Sequence, residues 1–479
     1  MATAPHPSSP AASGWGLPDT NSGASGFYKG LRATVKLAMR AFYRTVEVTG
    51  REHLDTSRPT ILASNHPNSI VDPLIVGLFE ERPVAFCARD GLFKVPVFGR
   101  LLREVGAIPI SRRSDHGGKK VDNADAFAAC REVLDQRGVI SIFPEGKTHD
   151  ALKIQALKTG TARIALDAEQ TSGLGVQIVP VGLNYLVRQA FRSDVHVAFG
   201  EPINVAEFTA AADSDPRAAA KALTERIGDA LRGLAIHVEE AEDERVIAQV
   251  TSIVVDIRAE SGLDGAGQTP AERTGLVRRI VDAYRWATIE DPDTTADLRR
   301  RLQHYLDERV ALGLGGGSAA LQHRTERNRQ RAEPWDVRRR RLLRGAPFAA
   351  YGFANSALPY WALRTILKAA APRKDRQALT KLLVGTAVYG GIWGAQTSAV
   401  SLFTGPIGGA VYGATVPLSA LYALRYMTEA KLHRLTLSGL RAFWKQGDRL
   451  EALRRERDAL KADVAALRDA YLAHLGETP

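Results

Sequence analysis

Short apolar runs alternate with helical patterns along the chain from about residue 45 to residue 205. The runs with the length and composition of buried strands are residues 45–48, 60–64, 84–88, 107–111, 139–144, 176–183 and 194–200. Between them the pattern predicts helices at residues 73–79, 123–136 and 158–169. This alternation indicates an α/β domain with a mixed sheet over residues 45–205, with its chemistry in loops that follow strand ends.

A basic amphipathic helix is predicted over residues 26–44, just before the first strand run. At about 100° per residue, apolar side chains fall in one arc and lysines and arginines in the opposite arc. Two interpretations remain open: the helix lies in an anionic membrane surface, or it packs on a domain with its basic face in water. Residues 1–25 have neither a basic start nor an apolar stretch, which predicts a disordered tail and not a signal peptide.

The chain from residue 206 to residue 345 is rich in Ala, Arg and Glu and contains no strand-like runs. This composition predicts a polar helical domain. Its expected helices are residues 218–236, 241–261, 270–289 and 293–312. The glycine-rich residues 313–318 predict a flexible break.

The longest uncharged stretch comprises the 43 residues from Leu382 to Leu424. A membrane-spanning helix needs about 20 residues, and Gly405-Pro406 lies near the middle of the stretch. The pattern therefore predicts a transmembrane helical hairpin over residues 382–424, within membrane segments that extend from residue 346 to residue 430. The alternative is a buried helical hairpin in a soluble domain.

Basic residues flank both outer ends of this stretch. They are Arg373, Lys374, Arg376 and Lys381 before it, and Arg425, Lys431 and Arg434 after it. By the positive-inside rule both flanks face the cytoplasm, which predicts a multi-pass protein with its α/β domain on the cytoplasmic face. Residues 348–363 are marginal for spanning, so we expect a re-entrant or interfacial segment there. The five arginines of residues 337–347 then contact anionic lipid headgroups, or else form a solvated face.

Residues 431–479 end in a helical pattern with apolar side chains at a/d-like intervals. These are Leu453, Leu460, Val464, Leu467 and Tyr471. The run is about three heptads long, so it predicts a C-terminal helix that either forms a short coiled coil joining two copies or packs on the helical domain.

A net charge of +11 and a pI near 9.6 indicate anionic partners: nucleic acid, acidic lipid or phosphorylated small molecules. The long uncharged stretch does not fit a nucleic-acid-binding protein, and no nucleic-acid-binding motif is recognisable. Cys87 and Cys130 lie far apart in the sequence, and their spacing is not that of metal-binding cysteines. We therefore expect a reducing compartment, no disulfide framework and no metal site.

Four short motifs carry candidate chemistry. "NHPNSIVD" contains His66 and Asp72, and "GAIPISR" ends at Arg112. The third motif, "FPEGKTH", contains Glu145 and continues into "LKTGTARIA", residues 157–165. The fourth motif is "IVPV", residues 178–181. Taken together in this order, the motifs resemble those of the glycerophosphate and lysophospholipid acyltransferase superfamily, over residues 45–205.

Two positions depart from that family's pattern. Five residues separate His66 from Asp72 where four are usual, and Pro109 stands where phenylalanine is typical. The longer spacing and the ending of "FPEGKTHD" resemble the branch of glycerol-3-phosphate and dihydroxyacetone-phosphate acyltransferases with C-terminal membrane segments. The expected fold is thus an α/β acyltransferase domain with a mixed sheet, followed by a helical domain and a transmembrane helical hairpin.

The resemblance implies that His66 and Asp72 are catalytic. An alcohol is a poor nucleophile at pH 7, and a histidine that titrates near neutrality can take its proton as it attacks a thioester. The carboxylate of Asp72 would fix the tautomer of the imidazole and favour the imidazolium that forms. Because a thioester is already activated, we expect direct transfer without an acyl-enzyme and without a cofactor.

The remaining site residues are assigned to substrate binding. Arg112 offers a planar fork to the phosphate of the acceptor, and Lys147 and Lys158 add positive charge. Backbone N–H groups near Gly146 and Thr148 are expected to be free to receive an oxyanion or a phosphate. The family resemblance assigns Glu145 to acceptor binding.

The predicted function is transfer of a fatty acyl group from acyl-CoA or acyl-carrier protein to glycerol-3-phosphate. The alternative acceptor is 1-acyl-glycerol-3-phosphate. A hypothesis of another class is a catalytically silent lipid-binding or scaffolding protein of the membrane. The presence of His66, Asp72, Arg112 and Glu145 together argues against it.

Overall fold

The computed structural model describes residues 25–95, 98–112, 121–149, 151–186, 193–260, 268–312, 335–370, 377–445 and 447–477. Residues 1–24 of the predicted tail and the glycine-rich break lie outside the described residues. The chain forms two compact units. The first extends to His237 and includes Thr269–Thr274, and the second comprises Val238–Gln268 and Gly275 onwards.

The first unit is built on one mixed sheet. Its strands are β1 (Thr45–Thr49), β2 (Thr60–Ser64), β3 (Val84–Arg89), β4 (Ile108–Ile110), β5 (Val139–Ile142), β6 (Gln177–Tyr185), β7 (Asp194–Phe199) and β8 (Ile203–Asn204). The strand order is β1-β7-β6-β2-β5-β3-β4, and β8 pairs with β6. β6 is antiparallel to β7 and β8, and the other pairs are parallel. The predicted mixed sheet is confirmed, and each predicted run contains its strand or overlaps it closely.

The helices of this unit cover both faces of the sheet. They are α1 (Gly26–Phe42), α2 (Val71–Phe79), α3 (Phe98–Glu104), α4 (Ala124–Asp135), α5 (Gly160–Ser172), α6 (Thr209–Ser214) and α7 (Pro216–Leu234). Successive strand residues point to opposite faces, so Ile61 packs in one core with α4, α5 and α7, and Leu62 in a second core with α1 and α2. Because β2, β5 and β6 are buried on both faces, they appear in the sequence as largely apolar runs without charged residues.

Helix α7 belongs to the first unit, whereas we expected the helical domain to begin at residue 206. Leu223, Ile227 and Leu231 are buried in the core that contains Ile61. The sequence of α7 is polar on its other faces, which is why its composition resembled that of the helices that follow. The elements that sequence analysis missed in this unit, α3, α6 and β8, are too short to show a period.

Parallel pairing brings the functional motifs together. β2, β5, β3 and β4 are parallel, and so is β6 to β2. Their carboxyl ends therefore lie at the same edge of the sheet, which is where the motif loops begin. The candidate site is at this edge.

A single arginine joins the loops at the opposite edge. The guanidinium of Arg82 donates to the carbonyl oxygens of Thr56 (3.2 Å), Arg58 (2.7 Å) and Arg137 (3.1 Å). Its Nε donates to the buried carboxylate of Glu80 at 2.9 Å. The loops that lead into β2, β3 and β5 are thus hydrogen-bonded to one side chain.

Helix α1 packs on the domain, which is one of the two interpretations left open above. Tyr28 and Met39 are buried. Arg32, on the predicted basic face, donates to the carbonyl oxygens of Leu78 (2.8 Å) and Glu80 (3.0 Å) at the end of α2. This basic side chain therefore satisfies terminal carbonyl groups of a helix.

The second unit is helical. Its helices are α8 (Asp243–Glu260), α9 (Pro270–Glu290, whose first turn lies in the first unit), α10 (Pro292–Ala311), α11 (Trp335–Ala370), α12 (Gln377–Lys445) and α13 (Gly447–His474). α13 packs on α8 and α10, with Leu460 fully buried. Arg301 of α10 pairs with Glu456 (3.0 Å) and Asp463 (2.6 Å) of α13. Of the two outcomes left open for the C-terminal helix, packing on the helical domain is observed; a homo-oligomer stays a prediction.

Helices α11 and α12 contain the predicted membrane segments. α11 is continuous through Pro347 and Pro359, so residues 348–363 form part of one long helix. α12 is helical except at Gly405, where φ is 77° and ψ is 173°. The side chain of Ser401 contacts Gly409, and Thr397 Cγ2 lies 3.1 Å from where a Cβ on Gly413 would be. In a straight helix these pairs would be about 12 and about 24 Å apart, so the axis changes direction at Gly405.

One helical stretch among the described residues, Val384–Met427 in α12, is long and apolar enough to cross a membrane. Only 22% of its most apolar window is buried. Leu402, Phe403 and Ile407 are 85%, 90% and 80% exposed. Large apolar side chains are thus concentrated on the surface around Gly405.

Candidate active site

The candidate site is centred on His66, in the loop after β2. The Nδ1 atom of His66 lies 2.8 Å from Oδ2 of Asp72, in the first turn of α2. Asp72 is completely buried. With the carboxylate ionised, Nδ1 carries the proton and donates. The predicted contact between these two residues is therefore present.

The loop between His66 and Asp72 contains a left-handed residue. Ser69 has a φ of 50°, which few residues other than glycine adopt. The amide of Val71 donates to the carbonyl oxygen of Asn68, and that of Asp72 donates to that of Ser69. With this turn in the loop, Asp72 faces the imidazole across the five intervening residues.

Asp72 accepts two more hydrogen bonds. The amide of Asn68 donates to Oδ2 at 2.7 Å, and the hydroxyl of Tyr185 donates to Oδ1 at 2.6 Å. A buried carboxylate is costly unless donors satisfy it. Together with His66, these donors fix the orientation of the carboxylate.

A second tyrosine lies beside this network. Tyr43 is fully buried, and its hydroxyl accepts from Asn68 Nδ2 at 3.1 Å. Burial, and after it the charge of Asp72, raise the pKa of Tyr43 above its ordinary value. Its phenol is therefore neutral at physiological pH. Sequence analysis missed Asn68, Tyr43 and Tyr185 as site residues. Asn68 lies inside the motif but its residue type predicts only a loop, and Tyr43 and Tyr185 lie outside every motif.

Glu145 is 2% exposed and has protein partners at both oxygens. Oε1 accepts from the backbone amide of His66 at 2.9 Å. Oε2 accepts from the amide of Gln155 at 3.0 Å and is in close contact with Nε2 of His149. The carboxylate thus joins the loops after β2 and β5. Its predicted role in acceptor binding stays a prediction.

The imidazole of His66 is also supported on one face. The ring of Phe143 stacks on it, with centroids 4.0 Å apart and planes inclined by 20°. Asn65, one residue earlier, exchanges two hydrogen bonds with the backbone of Leu183 in β6 (2.7 and 3.1 Å). Asp72, Phe143 and the main chain thus orient the ring. Among the described residues Nε2 has no partner, so it is available to a substrate.

Lys158 and Gly146 lie against each other. Gly146 has a φ of 68°, and Nζ of Lys158 is 2.9 Å from where a Cβ on Gly146 would be. A side chain on Gly146 would require this flexible lysine to move, and the positive φ itself favours glycine. The amide of Gly146 donates to the carbonyl oxygen of Phe143 at 3.0 Å. The expectation that the amide of Gly146 is free was wrong, because it closes a turn.

The other predicted binding residues lie at the same edge of the sheet. Lys147 is exposed, and Thr148 has no hydrogen-bond partner in the part of the chain that the structure describes. Arg112 is half-buried, two residues after β4. Two strands, β5 and β3, separate β4 from β2, which corresponds to roughly 14 Å across the sheet. The sequence motifs thus meet at one edge of the sheet. Arg112 lies at the end of that edge formed by β4, the last strand in the sheet order.

Residues 45–184 match the family model described as Acyltransferase. This segment is an acyltransferase domain. The chain is 33% identical over 135 residues to glycerol-3-phosphate O-acyltransferase 1 of Saccharomyces cerevisiae, which is 27% of this chain and 18% of the yeast protein. It is 39% identical over 88 residues to glycerol-3-phosphate O-acyltransferase 2 of the same yeast, which is 18% of this chain and 12% of that protein.

A plant protein shares the same domain. A chloroplastic 1-acyl-sn-glycerol-3-phosphate acyltransferase of Brassica napus is 25% identical over 148 residues, 31% of this chain and 39% of the plant protein. The chain thus spans less than half the length of each of these relatives. The resemblance to the glycerophosphate acyltransferase superfamily is confirmed, and it concerns the acyltransferase domain.

Proposed function

We propose that the protein is a membrane-bound O-acyltransferase that moves a fatty acyl group from a thioester donor to glycerol-3-phosphate in phospholipid synthesis. The observation that carries this proposal is the His66–Asp72 pair, 2.8 Å apart, with the carboxylate buried and fully hydrogen-bonded. The donor is acyl-CoA or acyl-carrier protein. The names of the two yeast relatives support the acceptor.

The chemistry follows from the orientation of the imidazole. Nε2 of His66 takes the proton of an acceptor hydroxyl as its oxygen bonds to the thioester carbonyl carbon. Asp72 stabilises the imidazolium that forms. The carbon–sulfur bond then breaks, and the leaving sulfur takes the proton from the imidazolium. The ester and the free thiol are the products, and neither an acyl-enzyme nor a cofactor is required.

The acceptor phosphate is assigned to Arg112, with Lys147 and Lys158 adding positive charge. A guanidinium can bind two phosphate oxygens at once, which a lysine cannot. The unpartnered Thr148 would donate to the acceptor. An unacylated acceptor presents hydroxyl groups there, whereas an acyl chain would leave such polar groups unpaired.

Residues 382–424 are proposed to form a transmembrane hairpin that turns at Gly405-Pro406. The contacts of Ser401 with Gly409 and of Thr397 with Gly413 support it, because these pairs meet across the change of direction. The exposed apolar surface of Val384–Met427 also supports it. The basic flanks of the hairpin favour a multi-pass topology with the acyltransferase domain on the cytoplasmic face.

The second candidate acceptor is 1-acyl-glycerol-3-phosphate, favoured by the name of the plant relative. The deciding experiment gives detergent-purified protein one labelled acyl-CoA and each acceptor in turn. We expect kcat/KM to favour glycerol-3-phosphate by at least about tenfold, or roughly 1.4 kcal/mol. A similar preference for the 1-acyl acceptor would select the second candidate. If neither acceptor is acylated, from the labelled acyl-CoA or from the same acyl group on acyl-carrier protein, the result would support the silent scaffolding protein.

A further inference from the structure

A groove lies between α11 and α12 in the second unit, whereas the residues assigned to catalysis belong to the first unit. We call it the arginine groove, and its volume is about 1310 Å³. Its lining residues include Arg340, Arg341, Arg344, Phe348, Leu418 and Tyr422. Small-molecule sites usually have volumes of about 300–1000 Å³, so this groove is large enough for a lipid.

One end of the groove is cationic. Arg340 and Arg344 are one helical turn apart, so they share a face of α11. Both are exposed, and neither has an ion pair in the part of the chain that the structure describes. Arg341 is different, because it pairs with Glu429 at 2.5 Å. The groove therefore presents two guanidinium groups whose charge the described residues do not neutralise.

The other end of the groove is apolar. Phe348 is 69% exposed and Leu418 is 67% exposed. The ring of Phe348 packs edge-on against that of Tyr422, with centroids 6.3 Å apart. The hydroxyl of Tyr422 is where a Cβ on Gly345 would lie, so this glycine lets the tyrosine approach α11 closely. The apolar surface continues directly from the cationic end.

We propose that the arginine groove binds an anionic glycerophospholipid of the membrane. Its phosphate accepts charge-assisted hydrogen bonds from Arg340 and Arg344, and an acyl chain lies along Phe348 and Leu418. A soluble anion would use the guanidinium groups and leave the apolar end uncovered. Leu418 lies within Val384–Met427, the stretch proposed to cross the membrane, so this inference rests on the membrane location.

Binding can be measured by native mass spectrometry of the full-length protein in a neutral detergent. The probes are phosphatidic acid and phosphatidylcholine with identical acyl chains, so that only the headgroup differs. The test variant is Arg340→Gln with Arg344→Gln. The matched control is Arg364→Gln with Lys368→Gln, which removes the same charge at the same spacing from exposed positions of α11 outside the groove.

We expect the test variant to bind phosphatidic acid at least tenfold more weakly than the wild type does. The control variant should stay within twofold of the wild type, and phosphatidylcholine should bind weakly to all three proteins. Equal affinity of wild type and test variant for phosphatidic acid would overturn the proposal. So would an equal loss in both double variants, which indicates a general effect of charge.

Two further measurements distinguish a lipid site from a site for soluble anions, and lipid binding from catalysis. Inorganic phosphate at millimolar concentration should not displace phosphatidic acid; if it does, the site is one for soluble anions and the proposal fails. A His66→Ala variant should bind phosphatidic acid as the wild type does. Loss of lipid binding with normal acyl transfer would count against the lipid site alone. Loss of acyl transfer with normal lipid binding would count against the proposed function alone.

Discussion

The acyltransferase domain and the α11–α12 region use polar and apolar side chains in opposite ways. In the domain, the carboxylates of Asp72 and Glu145 are buried. Each of their four oxygens accepts at least one hydrogen bond from the protein. In α12, Phe403 and Leu402 are almost fully exposed. A buried charge needs donors, and an exposed apolar surface needs an apolar surrounding. The contrast supports the proposal that α12 lies in a membrane, whereas the acyltransferase domain satisfies its buried charges with its own donors.

The largest expected effect concerns the part of α12 that has exposed apolar side chains. Deleting Leu382–Leu424 should move the protein from the membrane fraction to soluble or aggregated material, because the apolar surface is lost. Ultracentrifugation of lysates after alkaline washing measures this, with a variant lacking residues 1–24 as the control. Recovery of the intact protein as a monodisperse species without detergent would support the buried hairpin in a soluble domain and remove the contrast.

The next effect concerns the histidine. His66→Ala should lower kcat by about 10³-fold or more, because it removes the proposed base. Binding of glycerol-3-phosphate, measured by calorimetry, should change little, since the phosphate is assigned to other residues. The exposed His304→Ala is the matched control. Retention of more than about a tenth of the wild-type rate would show that His66 is not the base.

A smaller effect is expected for Arg112, which is assigned to the phosphate of the acceptor. Arg112→Ala should raise the KM for glycerol-3-phosphate by about 10- to 100-fold and leave the KM for the acyl donor nearly unchanged. Arg112→Lys should recover only part of the loss, because a lysine provides a point charge and no fork. Steady-state kinetics with each substrate varied in turn gives both constants. Equal changes in the two KM values would contradict the assignment.

The smallest effect separates two roles of Glu145. Glu145→Gln replaces an oxygen with an amide nitrogen, which cannot accept from a backbone N–H. Because both oxygens already have protein partners, we expect anchoring of the His66 loop to outweigh the acceptor binding that the family resemblance implies. The value of kcat should then fall by about tenfold with the acceptor KM unchanged, and stability should fall by about 1–3 kcal/mol. A rise in acceptor KM at constant kcat would instead indicate direct acceptor binding. Thermal unfolding of the same samples measures the change in stability.

The sequence allowed the sheet to be predicted because central strands such as Thr60–Ser64 are short, mostly uncharged runs with apolar centres, buried along their whole length. It also allowed the pairing of His66 with Asp72 to be predicted, because both lie in one short motif. Tyr185 could not be predicted, since it lies 113 residues from Asp72 and reaches it only through the pairing of β6 with β2. The partners of Glu145 are largely backbone amides, which every residue has, so no sequence signal identifies them.

The position of Arg82 has a consequence for how the acyltransferase domain opens. Its guanidinium contacts backbone carbonyl groups on loops that lead into β2 and β5, at the edge of the sheet away from His66. When one side chain joins separate loops, none of them can detach without breaking bonds to the others. Amide hydrogen exchange at that edge would therefore occur in one cooperative opening.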